Sequence, residues 1–345
     1  MLLIRPARLD DQDGLEALAQ SAGVGMTTLP PDARLLRERV LRSTHAFAAD
    51  PQRPGGEQYL FVMEDLRVGR VVGTCGIVAK VGGFEPFYAY ALRQTQHASK
   101  ELAVSREVST LHLVENHAGP SEIGTLFLES THRGGGNGRL LSLSRFLFMA
   151  DHPRRFDDRV IAEMRGVLDE QGQSPFWDAI GRHFFDMEFA RADALSAADK
   201  TFIADLMPKH PIYVPMLPHQ VQAVIGEVHE ETRPALGLLR QEGFVFGDHI
   251  DIFDAGPLVI ADRAQVRTIR ESAVAEVVDI VAEVGLPETY LIGNSRLSFR
   301  ACLGHLRLLD PFRVEVPRDL ALALELRVGD KLRYVHARPE GSRAS

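Results

Sequence analysis

A glycine-rich segment between an apolar run and an apolar helix constrains this chain more than any other feature. The segment reads TLFLESTHRGGGNGRLLSLSRFL, and its glycines are Gly134, Gly135, Gly136 and Gly138. Glycine lets the backbone approach a ligand closely, so that several peptide N–H groups can face one anion. The helix that follows adds its unpaired first-turn N–H groups and the positive end of its dipole. The sequence therefore predicts a strand, a phosphate-binding loop and a buried helix, in that order.

The residues around these glycines exclude two other phosphate-binding loops. A P-loop needs Lys followed by Ser or Thr directly after its last glycine, whereas RLLSLS follows Gly138. The Rossmann fingerprint G-x-G-x-x-G is also absent from this segment. The loop therefore supports neither nucleotide hydrolysis nor hydride transfer.

The charge of the chain argues against nucleic acid and membrane surfaces as partners. The 39 Lys and Arg against 47 Asp and Glu give a formal net charge of −8. A field of this sign repels phosphate backbones and anionic lipids, although backbone amides can still bind an anionic cofactor locally. It also mildly favours a cationic substrate.

Targeting and cysteine patterns narrow the setting further. The N-terminus carries Arg5, Arg8 and Asp10 where a signal peptide would be apolar, and the sequence lacks an apolar run of about 18 residues, so we expect a cytoplasmic protein. Cys75 and Cys302 lie far apart, with no metal-ligand spacing around either one. We therefore expect neither a bound metal nor a disulfide.

Hydrophobic periodicity before the loop predicts mixed helices and strands. A short strand opens the chain, a helix with Leu15 and Leu18 on one face follows, and residues 33–49 form a second helix. The runs YLFVMED and RVVGTCGIVAK predict an antiparallel hairpin, and a further strand is expected near 111–114.

The pattern after the loop is less regular. RVIAEMRGVLD predicts a strand and SPFWDAIGRHFF a helix. Four prolines between 208 and 218 indicate an extended path, and helical periodicity returns at about 220–241 before Gly243. Beyond 258, short apolar runs separated by turns predict a smaller, strand-rich unit.

The glycine-rich loop resembles the coenzyme A loop of the GNAT acyltransferases. That pattern is Arg or Gln, two residues, Gly, one residue, then Gly or Ala. The matching positions are Arg133, Gly134, Gly135, Gly136, Asn137 and Gly138. The resemblance implies an α/β (α+β) fold of GNAT type, in which the loop wraps the pyrophosphate of acyl-CoA and the strand at 125–128 lies beside the pantetheine arm.

Several longer segments resemble the arginine N-succinyltransferase family. They include ASKELAV at 98–104, TLFLE at 125–129, AEMRGVLDEQGQSPFW at 162–177 and the segment GEVHEETRPA, and the resemblance covers most of 1–260. It implies transfer of a succinyl group from succinyl-CoA to the α-amino group of L-arginine, the first step of an ammonia-producing route of arginine catabolism. It also implies an assembly of identical subunits or one with a paralogous subunit.

The resemblance assigns two residues individually. Leu126 falls where the family contacts succinyl-CoA, and His229 falls at the position of its catalytic proton donor. The loop departs from the family at Gly134 and Gly135, where relatives often carry charged residues.

The domain organisation follows from the same resemblance. We expect a GNAT-like acyl-CoA-binding domain at 1–190, and a second, degenerate GNAT-like portion at 191–257 that carries His229. The alternative is that residues 220–256 complete the first domain. The strand-rich unit then occupies 258–345.

Acyl transfer needs a neutral amine, a donor for the carbonyl oxygen as it becomes anionic, and a proton for the leaving thiolate. We expect His229 to act as general acid or base and a backbone N–H near Leu126 to be the oxyanion donor. By sequence alone, His97, His117 and His210 are comparable candidates.

The sequence leaves the roles of several other residues unassigned. Cys75 lies in an apolar strand without an evident histidine partner, so we expect direct transfer and no acyl-enzyme. Arginine requires carboxylates for its guanidinium and a cation or amides for its carboxylate. The residues considered for these roles, without assignment, are Glu163, Arg165, Asp251 and Asp254.

Two alternatives are carried forward. The chain could acylate ornithine or a related amine, or it could be one subunit of a pair in which a paralogue shares the activity, because a fold does not fix its substrate. In a different class of protein, it would sense acyl-CoA without catalysis.

Overall fold

The computed structural model describes residues 1–23, 26–196, 201–285 and 288–339. The strands in these ranges are β1 Leu2–Pro6, β2 Gln58–Asp65, β3 Arg70–Val78, β4 Phe87–Ser99, β5 Val104–Asn116, β6 Ser121–Leu128, β7 Arg159–Glu163, β8 Ile212–Tyr213, β9 Val245–Ile250, β10 Pro257–Asp262, β11 Ala273–Val281, β12 Tyr290–Gly293, β13 Ala301–Gly304, β14 Arg307–Asp310, β15 Arg313–Pro317 and β16 Lys331–His336. The helices are α1 Gln12–Ala22, α2 Ala33–Ala48, α3 Asn137–Asp151, α4 Pro175–Ala179, α5 Gly181–Phe185, α6 Phe189–Ser196, α7 Thr201–Leu206, α8 His219–Gln222, α9 Arg233–Gln241, α10 Arg267–Glu271 and α11 Arg318–Leu324.

The described strands form one continuous sheet. Their order across it is β14-β15-β11-β16-β12-β13-β1-β2-β3-β6-β7-β10-β9-β4-β5-β8. Neighbouring strands are antiparallel except for the pairs β6 with β7 and β11 with β15, which are parallel. The predicted hairpin is confirmed as β2 and β3, which pair from Gln58 opposite Val78 to Asp65 opposite Arg70.

Helices cover both faces of the sheet, as the alternation along β2 shows. Leu60 and Val62 pack with Leu15 of α1 and Leu36 of α2. Their neighbours on β2 point to the other face, where Phe61 packs with α3. Because successive strand residues point to opposite faces, α1 and most of α2 lie on one side of the sheet and α3 lies on the other.

Helix α3 is buried, as its apolar sequence predicted. Every residue from Leu140 to Met149 is buried. The helix packs against β1, β2 and β3 and also against strands of the C-terminal part. Since it is covered nearly all round, its N-terminal turn is the part that remains accessible at the end of β6.

The strand predicted near 111–114 belongs to a much longer ribbon. β4 and β5 pair over thirteen residues each, from Phe87 opposite Asn116 to Ser99 opposite Val104. Its base is buried and its outer half is exposed on both sides. The outer half has no apolar face, so the sequence pattern does not show the length of the ribbon; the buried base of β4 was also not predicted.

Two helix predictions after the loop were wrong in extent. The helix expected at about 220–241 is two helices, because α8 ends at Gln222 and α9 begins only at Arg233. Gly226 lies between them with φ +77°, a left-handed conformation that interrupts a helix. The helix predicted from SPFWDAIGRHFF is likewise divided into α4 and α5 at Ile180.

The C-terminal strands have their own core. β11, β12, β13, β15 and β16 enclose a buried cluster together with α11. This part joins the rest of the sheet where Ile4 of β1 lies opposite Ala301 of β13.

The predicted boundary between 257 and 258 coincides with the start of β10, which pairs with β7 and β9. From β11 onward the described strands pair with one another and, through β13, with β1. The division into units stays a prediction, and we propose that the C-terminal unit begins after α10.

Candidate active site

The cleft of the molecule opens where two parallel strands separate. β6 and β7 pair at Ser121 opposite Val160 and at Glu122 opposite Ile161, and no further pair of described residues joins them. Beyond this point lies a cavity of about 570 Å³. Its walls come from β6, α2, the first half of α3, the end of β7, α9 and the segment 251–254. This volume lies in the range of small-molecule and cofactor sites.

A bulge in β6 faces this cavity. Thr74 of β3 lies opposite Phe127 and Gly76 lies opposite Gly124, so both Thr125 and Leu126 stand against the single residue Cys75. Thr125 has φ +53°, an uncommon conformation for a β-branched residue. A bulge leaves one residue out of the strand ladder and redirects its backbone groups. Leu126, predicted to contact the cofactor, lies in this bulge and lines the cavity.

The glycine-rich loop follows β6 at the cavity's edge. Gly134, Gly135 and Gly136 have φ of +106°, +57° and +88°, so all three use the left-handed region that favours glycine. α3 starts at Asn137, and its first turn is capped by no side chain of the described residues. The N–H of Asn137 donates to the carbonyl oxygen of Gly134 at 3.0 Å, whereas no bond among the described residues engages the N–H groups of Gly138 and Arg139, which are available to an anion.

Two side chains hold the loop in place. The amide of Asn137 donates to the carbonyl oxygen of His132 at 2.8 Å, and the guanidinium of Arg133 donates to that of Leu128 at 3.3 Å. Arg133 and Gly138 also line the cavity. The loop and the cavity are therefore continuous.

His229 lies beside the cavity wall. The backbone N–H of His229 donates to the carbonyl oxygen of Arg165 at 2.9 Å, and the ring nitrogen Nδ1 accepts the backbone N–H of Glu231 at 3.2 Å. Arg165, Glu231 and Thr232 line the cavity, whereas His229 is not among its lining residues. Burial, together with the nearby cation of Arg165, lowers the pKa of His229. Because Nδ1 accepts a hydrogen bond, the proton of the neutral ring resides on Nε2.

The cavity wall carries many charges. Its carboxylates are Glu38, Glu85, Glu122, Glu163, Asp193, Glu231, Asp251 and Asp254, and its guanidinium groups are Arg39, Arg42, Arg133, Arg145 and Arg165. All four residues considered for the acceptor therefore lie on this wall. A wall richer in carboxylates favours a cationic ligand, and the interspersed cations can bind carboxylates.

One of these carboxylates has a structural role. Asp254 is buried and accepts the N–H groups of Gly166 and Gly256, each at 2.8 Å. Burial and the neighbouring Asp251 raise its pKa well above the usual range. Added Cβ atoms at Gly166 and Gly256 would collide with the facing backbone, so Asp254 closes a tight junction between two segments.

Cys75 stands opposite the bulge but is unsuited to nucleophilic attack. It is fully buried in the core, and burial raises its pKa to about 11. Its thiol therefore stays protonated near neutral pH, and only the thiolate is an effective nucleophile.

Sequence reasoning missed Arg39 and Arg145. Arg145 did leave a signal, because it is the one charged residue in the apolar run LLSLSRFLFMA. Arg39 left none, since it stands among other charges of an amphipathic helix.

Two other kinds of feature are absent from the described residues. Among the described residues, no helix is long and apolar enough to cross a bilayer. In the same ranges, no three His, Cys, Asp or Glu side chains are grouped as a metal site would require.

A diverging strand pair, a bulge at the point of divergence and a glycine-rich turn into a buried helix together define an acyltransferase of the GNAT fold. The sequence model described as arginine N-succinyltransferase beta subunit matches residues 2–268, and the model of that subunit's C-terminal domain matches 273–336. The chain belongs to the arginine N-succinyltransferase family. The predictions of family, fold class and enzyme class are thereby confirmed.

Individual relatives cover nearly the whole chain. The arginine N-succinyltransferase of Enterobacter sp. (strain 638) is 44% identical over 343 residues, which are 99% of each chain. The arginine N-succinyltransferase subunit beta of Pseudomonas aeruginosa is 46% identical over 300 residues, which are 86% of each chain. The solved structure of arginine/ornithine succinyltransferase subunit AI from Pseudomonas aeruginosa superposes with a TM-score of 0.90 at 36% identity, covering 98% of this chain and 99% of that one.

Proposed function

We propose that this enzyme transfers the succinyl group of succinyl-CoA to the α-amino group of L-arginine, giving N-succinyl-arginine and coenzyme A. The family relationship supports the reaction, and the cleft supports its chemistry. The observation that carries the proposal is the bulge at Thr125 and Leu126, where β6 and β7 diverge. It lies between the glycine-rich loop and the part of the cavity wall that carries Glu163 and Asp251, which we call the acid-rich wall. The thioester then lies at the bulge, with coenzyme A toward the loop and the acceptor toward the carboxylates.

The loop at 133–138 binds the pyrophosphate. Three successive glycines with positive φ form the turn, and the uncapped first turn of α3 offers the N–H groups of Gly138 and Arg139. Such an array binds a diphosphate through backbone donors and the helix dipole, even in a protein of negative net charge. Arg133 adds one guanidinium at the same edge of the cavity.

The bulge polarises the thioester carbonyl. A backbone N–H at Leu126 donates to the carbonyl oxygen and stabilises the charge that develops there during attack. Removing one such donor from an enzyme slows the chemical step by about 100- to 1000-fold.

His229 transfers the proton from the amine of arginine to the sulfur of coenzyme A. The neutral amine of arginine attacks the thioester carbon, an N–C bond forms, the C–S bond breaks, and the proton lost by the amine ends on the departing sulfur. To accept the amine proton at Nε2, the ring first releases the Glu231 N–H and carries its own proton on Nδ1; Nε2 then passes the accepted proton to the sulfur. The buried, protonated thiol of Cys75 supports direct transfer without an acyl-enzyme.

The acid-rich wall binds the guanidinium of the acceptor. A guanidinium stays charged at every relevant pH and prefers a carboxylate that accepts two N–H groups. Asp254 is the least suitable partner because both of its oxygens already accept backbone N–H groups. Glu163 and Asp251 are the candidates we favour on this wall.

The enzyme also works as part of an assembly in our proposal. One relative is described as a subunit beta and one solved structure as subunit AI, which supports an assembly for this chain. We propose identical subunits, with a paralogous partner as the alternative. Mass measurement of the purified chain alone, followed by an activity assay of the same sample, distinguishes the two.

One assay tests the reaction itself. Purified protein is mixed with succinyl-CoA or acetyl-CoA and with arginine, ornithine or lysine singly, and thiol release is followed. Turnover with succinyl-CoA and arginine alone supports the proposal. Comparable turnover with ornithine would replace it by the broader acceptor range, and coenzyme A binding without thiol release in a folded protein would indicate a non-catalytic sensor.

A further inference from the structure

Arg145 is a buried cation in the middle of α3. Arg145 is only 2% exposed, and its chain neighbours Ser144 and Phe146 are fully buried. Burying a guanidinium is costly unless an anion compensates it, because the charge loses its hydration. A residue of this kind in an apolar helix calls for a specific partner.

The protein supplies Arg145 with neutral acceptors. Nε donates to the carbonyl oxygen of Ser142 at 2.9 Å, one terminal nitrogen donates to the Ser142 hydroxyl at 3.0 Å, and the other donates to the carbonyl oxygen of Gly124 at 3.2 Å. No carboxylate of the described residues lies within ion-pair distance of it. A guanidinium has five N–H groups, so these three bonds leave two for a ligand.

Its position joins the helix to the reacting end of the cleft. Arg145 borders the cavity, and its partner Gly124 directly precedes the bulge at Thr125 and Leu126. In a succinyl thioester the free carboxylate carbon lies about 4 Å from the thioester carbonyl carbon when the chain is extended. An acyl group held at the bulge therefore brings its carboxylate within reach of this guanidinium.

The other cations of the cavity are placed differently. Arg39 and Arg42 come from α2, which packs with α1 on the opposite face of β2 from α3. Arg133 is exposed on the pyrophosphate loop, and Arg165 neighbours His229. Arg39 also borders Thr125 of the bulge, but it is half-buried and comes from α2, whereas Arg145 is buried and approaches the bulge from α3.

We propose that Arg145 binds the free carboxylate of the acyl group and so selects succinyl-CoA over neutral acyl-CoA thioesters. The inference rests on the proposed function, since it assumes that the acyl group lies at the bulge. The carboxylate takes the two remaining N–H groups and supplies the negative charge that the protein itself does not provide. A neutral acyl chain of equal length would leave the cation uncompensated in a drier site.

The test compares succinyl-CoA with butyryl-CoA, in which a methyl group replaces the carboxylate. Arg145→Gln removes the charge but keeps amide donors for the carbonyl oxygens of Ser142 and Gly124. We expect kcat/KM for succinyl-CoA to fall about 100-fold or more, because one partner of a buried charge pair is lost, while kcat/KM for butyryl-CoA stays within a few-fold of wild type. A parallel fall with both thioesters would overturn the proposal and reduce Arg145 to a support of the bulge.

Two further variants keep the outcome decisive. Arg145→Lys retains the charge but loses the paired N–H geometry of the guanidinium, so we expect it to lower the succinyl preference without abolishing it. If Arg145→Gln fails to fold, this variant decides the matter, because an unchanged preference in a folded Lys variant would overturn the proposal. Arg39→Gln is the matched control, and a preference lowered there as much as at Arg145 would also refute the assignment.

The same data separate this inference from the proposed reaction. Wild-type enzyme that shows no turnover with succinyl-CoA and arginine would defeat the reaction. Wild-type turnover combined with an unchanged thioester preference in Arg145→Gln would defeat only the role of Arg145.

Discussion

Gly134→Ala tests the loop on which cofactor binding depends. Gly134 has φ +106°, a conformation that costs a residue with a Cβ of the order of 1–3 kcal/mol. An added Cβ would meet no atom within 4 Å, so the penalty comes from backbone strain alone. The residue is exposed, and little packing forces the strained shape to persist. We expect the free loop to relax into another shape that coenzyme A must reverse on binding.

The strain then lowers the affinity of the loop for coenzyme A. A penalty of about 1–3 kcal/mol corresponds to a Kd for coenzyme A that rises about 5- to 150-fold. Isothermal titration calorimetry measures the Kd, and thermal unfolding without ligand measures stability, where we expect little change. Gly172→Ala is the matched control, because Gly172 has φ +75° and its added Cβ also meets nothing within 4 Å.

The control gives the opposite pattern in our reasoning. Gly172 lies in the turn at 169–173, away from the cavity lining, so its strain should lower stability and leave coenzyme A affinity unchanged. An unchanged Kd together with an unchanged melting temperature in Gly134→Ala would refute the reasoning, since the strain would then have no measurable effect. Equal weakening of coenzyme A binding in both variants would refute it as well.

Three other predictions concern proton transfer by His229, the pKa of His229 and a buried ion pair. His229→Ala should lower kcat at least about 100-fold while the Kd for coenzyme A stays within a few-fold, as a lost proton-transfer group does; unchanged turnover would remove His229 from the mechanism. In the active state His229 and the amine together carry one proton. A second proton, on His229, inactivates this pair, so kcat/KM should fall as pH drops through the His229 pKa, which lies below its usual value. Arg165→Gln removes a like charge, raises that pKa and moves this acid limb to higher pH in the rate profile, and a limb that stays in place would contradict the assignment. Glu242→Gln breaks the buried ion pair of Glu242 with Arg267 at 2.9 Å and should lower the free energy of unfolding in urea by about 3–5 kcal/mol, whereas Arg34→Ala in an exposed pair should change it by less than about 1 kcal/mol.

The sequence predicts those parts of the fold in which local pattern and burial agree. Helix α3 is apolar on all sides and is buried on all sides, and the β2–β3 hairpin consists of two β-branched runs joined by a polar turn. The loop between β6 and α3 was equally visible, because glycines with positive φ occur where the backbone needs them. In these segments the local preference and the final environment are the same.

Other parts depend on contacts that no local pattern records. The outer half of the β4–β5 ribbon has no buried face, so its residues lack the alternation that marks a strand. The segment at 223–232 has apolar residues at helical spacing, yet α8 ends at Gln222, Gly226 adopts φ +77°, and His229 pairs with Arg165.

The site shows the same division. The loop residues and Leu126 lie on one continuous segment and could be placed together from the sequence. His229 is held beside the wall by the hydrogen bond of its backbone N–H to the carbonyl oxygen of Arg165, sixty-four positions earlier in the chain. The charge of Arg145 was visible, whereas its lack of a carboxylate among the described residues became apparent only from three-dimensional packing.

The pairing of β1 with β13 has a consequence for biosynthesis. β1 is among the first residues to leave the ribosome, but Ala301, which lies opposite Ile4, emerges about 15–60 s later at ordinary elongation rates. During that interval one side of a buried, apolar strand offers its peptide groups to any other extended chain. Chains that stop before Ala301 keep this open side permanently, so translation products of that length are the ones in which β1 would join molecule to molecule.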